Sequence, residues 1–118
     1  MTGPRIALIH ALRESQVPIW EAFAADWPEA RTTNLLDDSL SADLAAEGEL
    51  TADMIGRFLT LGRYAASTGA DAILFTCSAF GPAIAAVQQD LDIPVLTPNE
   101  AAFEEAIAHG SQIGRAHV

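Results

Sequence analysis

Four short apolar runs, each followed by a helical pattern or a helix start, constrain this chain more than any other feature. Arg5-Ile-Ala-Leu-Ile-His10 follows Gly3 and Pro4 and is too short for a helix, which suits a central parallel strand. Pro18 falls in the first turn of a helix whose apolar residues Ile19, Trp20, Phe23 and Trp27 keep helical spacing, and Pro28 stops it. Arg31-Thr-Thr-Asn-Leu-Leu36, with β-branched residues and an apolar end, is the second strand. Asp37 to Leu50 is acidic and weakly periodic, so it reads as a long loop holding at most a helical turn, the kind of loop that often acts as a lid. Thr51 is a good N-cap for an amphipathic helix with Met54, Phe58, Leu61 and Ala65 on one stripe, ended by Gly69. Ala72 to Thr76 is a third strand, and a helix begins between Ala79 and Pro82 and runs through Ile84, Val87 and Leu91. Ile93-Pro-Val-Leu96 is the fourth strand, where Pro94 is tolerable only near the strand's start or at an edge. Thr97-Pro-Asn-Glu100 opens a last helix that Gly110 closes.

Such alternation predicts an α/β fold over residues 1–110, a four-stranded parallel sheet flanked by helices with right-handed crossovers. The segments that follow the strands, near His10, Asp37, Cys77 and Thr97, then gather along one edge of the sheet. In open α/β sheets that edge is where ligands bind.

The 118 residues, half of them hydrophobic, suffice for one domain with a real core. Sixteen acidic against six basic residues give a net charge of -10, which lacks the basic footprint that nucleic acid or an anionic membrane requires. The acidity itself reads as solubility. A single cysteine forms no internal disulfide, and Met-Thr-Gly-Pro-Arg lacks the apolar core of a secretory signal, so a cytoplasmic location is expected. Every apolar stretch is too short to span a membrane. No glycine-rich nucleotide motif occurs, and His10, His109 and His117 show no ligand spacing with one another or with Cys77, so neither a cofactor nor a metal is expected.

Chemistry concentrates at the third strand's end. Cys77 stands just past the apolar run, before Ser78 and a helix start, where backbone N–H groups favour negative charge and would lower the thiol pKa. A thiol so placed could move a proton at carbon, with a small carboxylate held by backbone N–H groups and Ser78. The alternative is a buried cysteine that only packs, in a non-catalytic flavodoxin-like binding domain. His10 is open to both readings too, as a satisfied wall residue or as a catalytic one. Asp37 and Asp38 read as a solvated loop.

The stretch Ile-Leu-Phe-Thr-Cys77-Ser-Ala-Phe-Gly-Pro, preceded by Gly-Ala-Asp71 and followed by Ile93-Pro-Val-Leu, resembles the first-half cysteine motif of the aspartate/glutamate/hydantoin racemase superfamily. Relatives include maleate isomerase and arylmalonate decarboxylase. The resemblance implies a cofactor-independent enzyme of two similar α/β halves, commonly with one cysteine from each half exchanging a proton next to a carboxylate. On that basis Cys77 is the first-half acid/base, Ser78 and Ala79 contact a small carboxylic acid substrate, and His10, Thr76 and Asn99 line its site. The strand-one ending His10-Ala-Leu departs from the Asp-Ser or Asn-Pro-Asn of several racemases, which sets an amino-acid substrate in question.

Members of the superfamily are about twice this length, so the chain is expected to be a truncated first half, with little turnover alone. Gln112-Ile-Gly-Arg-Ala-His-Val118 reads as the translation of a common sequencing adapter, so residues 111–118 are expected to be an artefactual tail. A homodimer through the exposed half-cleft, bringing two Cys77 thiols face to face, is the further partner arrangement the sequence suggests.

Overall fold

β1 (Arg5–His10) is buried from Ile6 to His10, so it must lie inside the sheet with neighbours on both edges. Its parallel partners are β2 (Arg31–Leu36), from Arg5 opposite Arg31 to His10 opposite Leu36, and β3 (Ala72–Phe75), from Ile6 opposite Ala72 to Ile9 opposite Phe75. β4 (Val95–Leu96) pairs outside β3, also in parallel. The order β2-β1-β3-β4 is flavodoxin-like, and the expected four-stranded parallel sheet is what the chain forms. This computed structural model describes residues 3–98. The helix expected up to Gly110, Asn99 within it, and the tail at 111–118 lie outside the described residues.

Alternation along the strands sorts two cores. Ile6, Leu8, Ala72, Leu74 and Leu96 face α1 (Gln16–Asp26), whose Phe23 stacks on Trp27 at 5.7 Å between ring centroids. Ala7, Ile9, Ile73, Phe75 and Val95 face α2 (Ser39–Glu47), α3 (Ala52–Ser67) and α4 (Gly81–Asp90). There Phe58 of α3 lies between Phe75 and Phe80, at 5.3 and 4.8 Å, a large buried aromatic payload in the arrangement that ring quadrupoles favour. α3 follows the sequence expectation closely. Thr51 accepts a hydrogen bond from the Met54 N–H at 3.2 Å, and Gly69 follows the last turn with φ at +88°. α3 also passes close to α4, because a Cβ on Gly62 would stand 2.7 Å from Val87 Cγ1.

One expectation fails between β2 and α3. Asp37 to Leu50 is not a loop, because Ser39–Glu47 forms α2. Leu40 is wholly buried, and Leu44 and Leu50 pack against the core. Polar contacts supply the rest. Asp37 accepts from the Ser39 N–H at 3.0 Å, Ser41 Oγ donates to Ala11 O, and Arg57 of α3 reaches Asp37 at 2.9 Å and Asp43 at 2.7 Å. A segment held at so many points is no free lid. Pro94 behaves as expected, standing just before β4, with its carbonyl accepting from the Ile73 N–H.

Candidate functional site

In this order of strands the chain leaves β1 toward β2 on one side and returns to β3 on the other, so the β1/β3 boundary is the topological switch point. His10 ends β1 and Thr76 directly follows β3 there, with the Thr76 N–H bonded to Ile9 O at 3.0 Å. The two side chains share the α1 side of the sheet and meet, His10 Nδ1 lying 2.7 Å from Thr76 Oγ1. His10 Nε2 lies 2.8 Å from Asn34 Oδ1, and the Trp20 indole N–H donates to the same oxygen at 2.7 Å. His10 is fully buried, and burial lowers its pKa against an opposing hydrogen bond to Asn34. His10 is thus a buried imidazole with both ring nitrogens engaged.

Cys77 turns to the other side. It belongs to the apolar cluster of Phe58, Phe75, Phe80 and Ala83 and is 7% exposed. From the sequence its sulfur was expected at a helix N-terminus, with a lowered pKa. The structure corrects that expectation: burial pushes the thiol up to about 11, against a smaller opposing effect of the residue's own backbone N–H. The reason lies in the local fold. A three-residue 3-10 turn, Ser78–Phe80, intervenes before α4 begins at Gly81, and the influence of a helix dipole fades within its first turn. Cys77 is therefore a thiol and not a thiolate at neutral pH. Ser78 and Ala79, in this turn, are exposed.

The structure thus joins His10 with Thr76, sets Cys77 next to Thr76 in the chain but on the opposite side, and leaves Asn99 outside the described residues. Asn34 and Trp20 were missed by sequence reasoning. Asn34 is the one polar amide in a β-branched and apolar run, a signal that becomes readable only once the register puts it beside Leu8 on the side of His10. Trp20 sits at a helical apolar position yet is 41% exposed, its indole N–H being turned to Asn34. A surface hollow of about 130 Å3 lies between β1, β2 and α3, and one of about 200 Å3 between α2 and α3; Cys77 lines neither. Among the described residues no cluster of three or more His, Cys, Asp and Glu could hold a metal, and no helix is long and apolar enough to cross a membrane.

Fold and strand-end residues together define a flavodoxin-like α/β domain carrying a buried thiol and a hydrogen-bonded histidine at the carboxyl edge of its sheet. The Asp/Glu/Hydantoin racemase family model matches residues 18–115, and the chain belongs to that family. The matched span holds Trp20, Asn34, Thr76 and Cys77, and β1 with His10 precedes it. No curated protein matches the sequence.

Proposed function

We propose that the chain forms the proton-donating wall of a cofactor-independent active site that moves a proton at the carbon next to the carboxylate of a small acid, with Cys77 as the acid. The observation that carries this reading is the buried Cys77 just past the carboxyl end of β3, beside exposed Ser78 and Ala79, with burial raising the thiol pKa. In the forward step the Sγ–H bond breaks, its proton passes to the carbanionic carbon, and the electron pair of that bond stays on sulfur as thiolate. In the reverse step the thiolate takes the proton back. Burial serves both directions, since the thiolate it destabilises is the stronger base on return. Ser78 and the backbone N–H groups of its turn would hold the carboxylate.

A racemase also needs a base on the opposite face of the carbon, and this chain has one cysteine. The chain acts, on this reading, as the first half of a longer enzyme, with the opposing group supplied from a second α/β half. Turnover by the purified chain is accordingly slight. Enzyme-like exchange of the α-proton of small acids into D2O, lost in Cys77→Ala, would overturn the half-site reading.

One observation favours a second reading. Cys77 packs among apolar side chains, as it would in a non-catalytic binding domain that uses it only as core. Alkylation separates the two. On the catalytic reading small carboxylates slow iodoacetamide labelling of Cys77 in a saturable way; equal rates with and without carboxylate, across a panel of small acids, would leave Cys77 as packing.

A further inference from the structure

We propose that Asn34 and Trp20 are positioning residues that hold His10 in its Nε2–H tautomer, so that Nδ1 presents a lone pair and accepts a hydrogen bond from the Thr76 hydroxyl. The inference rests on the reading of His10 and Thr76 as part of the site wall, and it begins from the group with the least freedom. An indole nitrogen only donates. Trp20 Nε1 stands 2.7 Å from one atom of the Asn34 amide, which must therefore be the oxygen. That same oxygen lies 2.8 Å from His10 Nε2, so this nitrogen must carry a proton to donate. A neutral imidazole has one N–H, which leaves Nδ1 as an acceptor, 2.7 Å from Thr76 Oγ1. Thr76 has a single proton to give, and the other acceptor in reach, Ile9 O, is farther at 3.4 Å. The hydroxyl therefore donates its hydrogen bond to His10 Nδ1.

Consequences follow for whatever binds beside Cys77. With its proton committed to His10, Thr76 Oγ1 offers lone pairs only, and a ligand group meeting it must be a donor. His10, with both nitrogens engaged, exchanges no proton with the ligand and acts through Thr76. Every partner in the chain of bonds, Trp20, Asn34, His10 and Thr76, is uncharged in this state.

The test is a long-range 1H–15N correlation spectrum of the histidine rings in the full chain at neutral pH, with His10 assigned by His10→Gln. A pyrrole-type Nε2 and a pyridine-type Nδ1 are expected, as a single tautomer. In Trp20→Phe the amide is free to turn, and the two His10 nitrogens shift toward the averaged values of a tautomer mixture. Adding Asn34→Asp, which puts oxygen at both ends of the side chain, restores the single Nε2–H form without the indole, a rescue that a merely structural role would not give. A wild-type spectrum with the proton on Nδ1 or already averaged overturns the proposal, as does a Trp20→Phe spectrum identical to wild type. The wild-type spectrum decides even if a variant fails to fold. None of these spectra reads Cys77 chemistry, so failure here leaves the acid role of the thiol standing, and failure of the labelling test leaves the tautomer standing.

Discussion

His10 and Cys77 are both buried at strand ends on the same edge of the sheet, yet their surroundings treat them in opposite ways. On the α1 side His10 is ringed by Thr76, Asn34 and Trp20, with each nitrogen bonded. On the α3/α4 side the Cys77 sulfur meets apolar side chains and its own backbone N–H. Burial favours the neutral form of both, which lowers the histidine pKa and raises that of the thiol. What differs is what the neutral form can do. A fully bonded imidazole has its proton fixed in place, whereas a thiol without a strong partner can give its proton to a ligand that arrives.

The sharpest way to disturb the apolar side is to remove the ring beneath it. Phe58 is wholly buried against Phe75 and Phe80, so Phe58→Ala should cost about 3–5 kcal/mol in denaturant unfolding. A loss under about 1 kcal/mol would mean that this packing is looser than the ring geometry implies.

Cys77 gives the next effect, and it belongs to alkaline pH. Its folded pKa, about 11, lies above the unfolded value, so the stability it contributes is complete below about pH 8.5–9 and is lost as pH rises toward 11. The gap between the folded and unfolded thiol corresponds to about 2–3 kcal/mol across that window. Unfolding midpoints measured from neutral pH upward should fall in wild type, and Cys77→Ala should flatten the slope. Parallel slopes would place the thiol in water.

Gly62→Ala probes the same side at one remove, by pushing α3 from α4 at Val87. Overpacking of this kind costs about 1–3 kcal/mol, more than the helix propensity gained from alanine returns. A stabilised variant would show that the helices separate freely.

The polar side answers to acid. The folded pKa of His10 is lowered, so its contribution is present above the unfolded value near 6.5 and is lost as pH falls below it. His10→Gln should remove part of the acid slope in thermal unfolding while leaving the alkaline slope of Cys77 intact. Loss of both slopes together would mean that the two sides of the edge are coupled.

The sequence revealed the alternation of strands and helices because each buried strand is a short apolar run and each helix start carries its own signal, as at Thr51 and Gly69. It concealed α2, because a short, weakly periodic segment folds there on contacts from Arg57 and Ala11 that are distant in the chain. The position of Cys77 just past the end of β3 was legible from its place after an apolar run. Its protonation state was not, since the turn Ser78–Phe80 that holds it away from the α4 terminus is a tertiary detail. Asn34 and Trp20 were hidden for a similar reason, because only strand register and helix docking bring them to His10.

The pH dependence of Cys77 alkylation by iodoacetamide in the native chain tests the central claim most directly. The account predicts a slow reaction at neutral pH that rises with a midpoint near 11, the pKa that burial imposes, and that small carboxylates suppress. A midpoint below the ordinary value of about 8.5 would contradict it, since the resting group would then be a thiolate and a base, not the proton donor proposed here.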